Sequence, residues 1–468
     1  MKVEQLYTGC LAEAAYYIES KGEAVIIDPL RDVDQYIEMA EKDHAKIKYI
    51  LETHFHADFV SGHIDLANKT QATIVYGPTA EPGFSAHVAK DEEILPVGDA
   101  KIKILHTPGH TMESSTFLLI DEEGKEHSIF TGDTLFIGDV GRPDLAVKTD
   151  LTREDLAGHL YESLHNKIMT LPDEVIVYPG HGAGSACGKK MSKETSDTLG
   201  NQKLFNYALN PSLTKEEFIN AVTEGLVAPP QYFPKNAVMN KTGYNSLDEI
   251  KSSGLNALSL EAFEKEVEKG ALILDTRQNS EFPKGFIPGS VFVGIDDNFA
   301  PWVGALIHDL STPIAVIADK GREEEVIVRL SRVGYDNPVG YLKGGFSTWK
   351  NAGKPVETLD EISPEELKKQ YSNKKLNILD VRKISEYSSQ HVKDAKNFPL
   401  DFINAHLEDL DKEDTYYLHC AGGYRSVIAS SILRKAGYKN LINIRGGFND
   451  IKETHIPLTD YAEASTDL

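Results

Sequence analysis

One stretch of about a hundred residues occurs twice in the second half of this chain, and such a repeat limits what the chain can fold into. Leu274-Asp275-Thr276-Arg277-Gln278-Asn279-Ser280-Glu281-Phe282 returns as Leu379-Asp380-Val381-Arg382-Lys383-Ile384-Ser385-Glu386-Tyr387. Further on, Gly334-Tyr335 returns as Gly437-Tyr438, and Gly344-Gly345-Phe346 as Gly446-Gly447-Phe448. Each copy has the size of one small domain. Both alternate apolar strand runs (271–274 and 314–318; 377–379 and 416–419) with helical stretches at 326–333 and 427–436. In those stretches apolar residues fall three or four apart. The alternation predicts an α/β fold on a mostly parallel sheet.

The first half has another rhythm. Apolar strand runs at 47–51, 73–76, 101–105, 116–120, 128–130 and 175–178 mix with a few helices, such as 33–43. Glu122-Glu123-Gly124-Lys125 reads as the turn of a β-hairpin. Four loops carry histidine or aspartate: Thr53-His54-Phe55-His56-Ala57-Asp58-Phe59, Thr107-Pro108-Gly109-His110, Thr131-Gly132-Asp133 and Tyr178-Pro179-Gly180-His181. Each begins directly after a strand run. Loops that leave adjacent strands at one sheet edge can converge on a single point. The stretch from Ala228-Pro229-Pro230 to Thr242-Gly243-Tyr244 reads as an irregular connection closing this half.

A chain of 468 residues exceeds one hydrophobic core and predicts roughly two to four domains. Boundaries are expected near residues 250 and 358. Acidic residues outnumber basic ones 72 to 49, for a net charge of -23. That excludes a nucleic-acid-binding surface and gives no attraction to anionic membranes. No apolar run reaches the ~20 residues of a membrane span, and Met1-Lys2-Val3-Glu4-Gln5 opens no signal peptide. Cys10, Cys187 and Cys420 are few, odd in number and far apart, as expected of reduced thiols in a cytoplasmic enzyme.

His54-x-His56-x-Asp58, with the later loops, has the donors of a first-row transition-metal site. On these stretches, and on Gly138-Asp139-Val140-Gly141-Arg142-Pro143-Asp144, residues 1–250 resemble the metallo-β-lactamase fold superfamily. Within it they look most like the persulfide dioxygenases, with the glyoxalase II hydrolases as neighbours. The resemblance implies one iron(II), Fe(2+), per chain, held by His54, His110 and Asp133. Binuclear hydrolases of the superfamily use His-x-His-x-Asp-His, whereas Phe59 stands here where the last histidine belongs. A phenyl ring cannot bind a metal, so a second ion would keep only Asp58, His181 and a share of Asp133. His56, Asp58 and His181 then become candidates for holding water, orienting His54 or touching substrate, or are remnants of a lost second site. Arg142 is a candidate anchor for a substrate carboxylate or phosphate, or one half of a structural ion pair. Cys10 and Cys187 read as buried or incidental thiols.

His419-Cys420-Ala421-Gly422-Gly423-Tyr424-Arg425-Ser426 sets a cysteine at a strand-to-helix turn. Backbone N–H groups and the helix dipole there stabilise a thiolate or a terminal sulfur anion. This loop, with Asp380-Val381-Arg382 and Gly446-Gly447-Phe448, makes residues 360–462 resemble a rhodanese domain. The resemblance implies that Cys420 carries a persulfide and that Arg425 helps bind the anionic sulfur donor or acceptor. In the first copy, Asp319 takes the place of Cys420, within Ala318-Asp319-Lys320-Gly321-Arg322. Aspartate cannot relay sulfur, so residues 258–356 are expected to be a silent rhodanese-like domain. Glu323-Glu324-Glu325 would supply built-in carboxylates in place of a bound anion.

The expected fold class is therefore α/β and α+β: a metallo-β-lactamase αββα sandwich followed by two rhodanese-like α/β domains. The whole resembles persulfide dioxygenase–sulfurtransferase fusions of bacterial sulfide detoxification. That implies oxidation of a low-molecular-weight persulfide (of glutathione, coenzyme A or another thiol carrier) by dioxygen to sulfite, which a second sulfane sulfur converts to thiosulfate. A homo-oligomer is expected. The alternative is a zinc thioester hydrolase of the glyoxalase II type fused to a rhodanese.

Overall fold

A computed structural model describes residues 1–146, 151–226 and 228–462. The chain divides between Leu247 and Asp248 into two compact units, and both repeats fall in the second apart from Ser331–Gly334, which group with the first. Among the described residues no helix is long and apolar enough to cross a membrane.

The first unit is built on two six-stranded sheets. One holds, in order, β1 (Lys2–Thr8), β2 (Glu13–Ser20), β3 (Glu23–Ile27), β4 (Lys46–Glu52), β5 (Thr73–Tyr76) and β6 (His87–Val88). The other runs from β7 (Ile94–Val97) through β8 (Ala100–His106), β9 (Ser115–Ile120), β10 (Glu126–Gly132) and β11 (Ile176–Pro179) to β12 (Asp197–Thr198). Tyr16, Ile18, Val25 and Ile27 of the first sheet share a core with Ile102, Ile104, Phe117 and Phe130 of the second. The intervening residues of β2 and β3, Ala15, Tyr17, Ala24 and Ile26, pack on the opposite face against Tyr36 and Leu66 from two helices. Leu118, Ile129 and Val177 pack likewise against Ala157 and Leu160 of the helix Arg153–Ser163. The result is the expected αββα sandwich. Sheets covered on both faces need apolar residues at every position rather than at alternate ones.

Two features differ from the sequence reading. β4 belongs to the first sheet while β8, β10 and β11 belong to the second, so the four loops converge from two facing sheets rather than from one edge. Residues 233–242 form a helix, not an irregular connection. Pro234 sits in its first turn, where its missing N–H is no loss.

In the second unit both repeats give a five-stranded parallel sheet of the same order. The first comprises β13 (Ala257–Leu258), β14 (Leu272–Asp275), β15 (Val291–Phe292), β16 (Ile314–Ile317) and β17 (Pro338–Leu342), ordered β13-β17-β16-β14-β15. The second comprises β18 (Asp360–Ile362), β19 (Asn377–Asp380), β20 (Lys396–Asn397), β21 (Tyr416–His419) and β22 (Leu441–Ile444), ordered β18-β22-β21-β19-β20. The recurring motifs meet in space. Arg382 grips the buried Asp380 carboxylate with Nε and Nη2, the latter at 2.6 Å, and its guanidinium lies 3.9 Å from the ring centre of Phe448. Arg277, Asp275 and Phe346 repeat this arrangement, with the ring centre at 4.2 Å.

Removing the arginine would leave the buried Asp380 carboxylate without its guanidinium, with the residue 382 amide at 3.1 Å and His419 Nε2 at 3.8 Å beside it. Arg382→Ala should therefore destabilise the second unit by about 3–5 kcal/mol, read as a lowered unfolding transition by calorimetry. A change below about 1 kcal/mol would show that the pair is dispensable.

Candidate metal centre and cysteine loop

The metal-centre candidates are placed by strand ends. Thr53 leaves β4, and Asp28, just after β3, receives both its N–H and its hydroxyl at 2.8 Å. That hydroxyl has one proton, which goes to Asp28, so it accepts from His54 Nδ1 at 3.0 Å. His110 Nδ1 donates to the Arg142 carbonyl at 2.9 Å, and His181 Nδ1 to the Ala12 carbonyl at 3.1 Å. All three imidazoles thus keep an Nε2 lone pair for another partner. These lone pairs surround Asp133. His54 and His110 Nε2 lie 3.9 and 3.4 Å from its Oδ2, and His181 Nε2 lies 3.5 Å from Oδ1. Gly180 makes room for this carboxylate, since a Cβ there would come within 2.8 Å of Oδ1.

Asp133 is 2% exposed, and neither of its oxygens has a hydrogen-bond partner. The Nε2 of His181 and one oxygen of Asp58, 3.4 Å from that nitrogen through its other oxygen, are equally unpartnered. Burial, aided by the neighbouring imidazoles, holds His54 well below the usual histidine range, in the neutral form that binds metals. A buried carboxylate without a donor is costly, and a divalent cation among His54, His110 and Asp133 would relieve it. The donor set fits a metal ion.

His56 behaves differently. Its Nε2 lies 3.1 Å from Asp28 and 3.7 Å from Glu52. Burial disfavours its charged form, but Asp28, Glu52 and Asp58 outweigh burial and lift its pKa to about 10. Phe59 is fully buried, with its ring centre 4.3 Å from that of His56. Asp58 and His181 stand together on the Oδ1 side of Asp133. The Arg142 fork is already filled by Asp144, through Nε and Nη2 at 2.7 Å, with Nη1 on the Ala186 carbonyl. The structure thus gives Arg142 the ion pair, and its main chain orients His110.

Three residues around this centre were not assigned from sequence. Asn240, on the helix Phe233–Thr242, donates to the carbonyls of His56 and Phe59 at 2.7 Å and so clamps the histidine loop. Asp28 anchors Thr53 and His56. Cys187 lies with its sulfur within 4.8 Å of ligand atoms of Asp133 and His181, and burial pushes its thiol pKa well up. Only for Cys187 was there a signal: it closes the glycine-rich loop that His181 opens.

In the second unit, Cys420 follows β21 and is buried. Gly423 caps the helix Tyr424–Lys435 at φ 96°, and its N–H donates to Cys420 Sγ at 3.1 Å. The amides of Phe448 and Asn449 hold the carbonyls of Cys420 and Ala421. Both terminal nitrogens of Arg425 bind Glu386, at 2.6 and 2.8 Å. Glu386 was also missed, though it recurs in the repeated motif as Glu281. Asp319 lies half-buried in the first repeat's loop. There Gly321 N–H donates to the Glu323 carboxylate at 2.7 Å, and Arg322 pairs with Glu325 and Asp296.

Residues 8–181 match the metallo-beta-lactamase superfamily, and residues 259–352 and 363–454 each match the rhodanese-like domain. The chain belongs to the metallo-beta-lactamase superfamily and carries two rhodanese-like domains after that fold. It is 32% identical over 182 residues to a probable hydroxyacylglutathione hydrolase of Schizosaccharomyces pombe, covering 38% of this chain. It spans 66% of that relative's length, just under two thirds. It is 30% identical over 216 residues to the mitochondrial persulfide dioxygenase ETHE1 of Bos taurus, covering 45% of this chain and 74% of that one. A crystal structure of a metallo-beta-lactamase from Staphylococcus aureus superposes with a TM-score of 0.64 at 32% identity, covering 73% of this chain and 98% of that one.

If His54, His110 and Asp133 hold the metal, Asp133→Asn should lower metal affinity by about tenfold to hundredfold or more. Equilibrium dialysis with elemental analysis reads this. Undiminished binding by the variant would remove Asp133 from the ligand set.

Proposed function

We propose that this chain is a mononuclear iron(II) persulfide dioxygenase coupled to a sulfurtransferase. The observation that carries the reading is the pair of imidazoles and one buried carboxylate, His54, His110 and Asp133, on the same chain as the Cys420 loop. Two nitrogens and one oxygen form the donor set typical of non-haem iron(II) oxygenases. The bound metal would supply positions open to dioxygen and to the terminal sulfur of a persulfide. The likeness to a persulfide dioxygenase supports the same reading.

The chain's own residues have distinct tasks in this proposal. Asp28, through Thr53, and the Arg142 carbonyl fix the tautomers of His54 and His110. Phe59 and Phe136, both fully buried, keep bulk water from this side of the site. Asp58 and His181 face the same space and can orient the reacting sulfur or accept its proton. In net terms, a persulfide, dioxygen and water give the thiol, sulfite and two protons. The Cys420 thiolate then attacks the outer sulfur of a second persulfide, and the S–S bond breaks as the carrier thiol leaves. Sulfite takes that sulfur from Cys420 and departs as thiosulfate. The Gly423 amide steadies the anionic sulfur, while Glu386 holds Arg425 at the rim as positive charge beside it. In the first repeat, Asp319 offers no nucleophile, and the Glu323 carboxylate already occupies the Gly321 amide.

One arrangement favours the hydrolase reading. Asp58, His181 and Asp133 Oδ1 cluster on the second side of the centre, and hydroxyacylglutathione hydrolases are among the relatives. Two bound zinc ions would suit thioester cleavage. Against this, Phe59 withdraws a ligand and His56 faces Asp28.

Oxygen uptake by iron-loaded protein given glutathione or coenzyme A persulfide should yield thiosulfate, shifting to sulfite in Cys420→Ser. No uptake with any persulfide, despite bound iron, would overturn the dioxygenase.

A further inference from the structure

The two repeats differ in chemistry but are joined next to the one reactive sulfur. The helix Tyr424–Lys435, which starts at the cysteine loop, lies against β15, the edge strand of the first repeat. The Phe292 N–H donates to Ser431 Oγ at 3.0 Å, so the second repeat satisfies an edge amide of the first. At the start of that helix, the Tyr424 ring meets the Phe292 ring edge-on, with centres 6.1 Å apart. The Tyr424 hydroxyl donates to the Gly294 carbonyl at 3.0 Å. The approach is close, since a Cβ on Gly294 would lie 3.4 Å from the Tyr424 ring and 3.1 Å from that of Phe292.

Position in the chain gives this contact its meaning. Tyr424 stands between Gly423, whose amide points at Cys420 Sγ, and Arg425, which is tied to Glu386 of its own repeat. The exit of the cysteine loop is thus fixed from two sides, by its own repeat through Arg425 and by the other repeat through Tyr424. We propose that Tyr424 is a positioning residue for Cys420, and that the repeat without a cysteine acts by holding it through the Gly294 carbonyl. This rests on reading Cys420 as the sulfur carrier. Burial, with Asp297 and Asp296, raises the phenol pKa further, so the hydroxyl stays a donor.

The test uses full-length, metal-loaded protein and two readouts. One is sulfur transfer from thiosulfate to cyanide. The other is the pH midpoint of Cys420 alkylation by iodoacetamide, followed on its own peptide. Tyr424→Phe keeps the ring and removes the hydrogen bond. It should slow transfer about tenfold and move the alkylation midpoint upward. Gly294→Ala should do the same from the other repeat, without altering the loop's own sequence. Ser431→Ala, which weakens the interface away from the loop, should lower the unfolding temperature and leave the midpoint unchanged. A Tyr424→Phe protein with wild-type rate and midpoint would overturn the inference. So would a Ser431→Ala protein whose midpoint moves as far as that of Tyr424→Phe. If the wild type transfers no sulfur, the carrier reading of Cys420 falls, and the alkylation midpoints still decide whether Tyr424 positions the thiol.

Discussion

Asp133 is the point on which the first unit turns. A carboxylate 2% exposed, with neither oxygen hydrogen-bonded, is tolerated only where positive charge answers it. The fold brings to it, from both sheets, imidazole nitrogens that could share a cation with it. β4 brings His54, β8 brings His110 and β11 brings His181, each with its Nδ1 committed to a neighbour and its Nε2 directed inward. The surrounding hydrogen bonds to Asp28, the Arg142 carbonyl and the Ala12 carbonyl settle which nitrogen is available. Which nitrogen each candidate ligand offers is therefore set outside the candidates themselves, by the groups that fix their tautomers.

The same economy explains why much of the architecture was legible. Strands such as 47–51, 73–76 and 116–120 are short apolar runs with turn signals on either side, and they emerge within a residue or two as β4, β5 and β9. β2 and β3 were not read at all. Their residues, Ala14 to Ile18 and Ala24 to Ile27, are buried on both faces and show no alternation to mark a strand. Loops bearing histidine and aspartate stood out because few other roles need those residues after successive strands. What these loops do to one another was not legible. That His56 turns to Asp28 and that Asn240 reaches back from residue 240 to the histidine loop are consequences of distant pairing. No local pattern encodes such pairings.

The repeats show what is retained when chemistry changes. Asp-x-Arg and Gly-Gly-Phe recur in both, and in both they join into one unit, a guanidinium bound to a buried carboxylate and stacked on a phenyl ring. Structure preserves these motifs, since they close the end of each sheet whether or not a cysteine is present. The loop itself has diverged. With Cys420, the helix-capping amide faces sulfur; with Asp319, the loop amide of Gly321 faces Glu323. The amide that faces a cysteine sulfur in one repeat has its counterpart facing a carboxylate of the chain itself in the other.

A repeat with aspartate in place of the cysteine still has an edge strand, a core and a surface, and these can act on a neighbour. The amide of Phe292 and the carbonyl of Gly294 lie at the edge of the first sheet, where unpaired backbone groups invite a partner. The second repeat meets them with Ser431 and Tyr424, two side chains of the helix that carries the cysteine loop. Sulfur transfer requires the thiolate, the Gly423 amide and the incoming sulfur to align within fractions of an ångström. The loop from Cys420 to Gly423, with Ala421, Gly422 and Gly423 as its small residues, has little stiffness of its own. An external hold on its last turn supplies what the loop's sequence lacks, which gives the repeat without a cysteine a physical task.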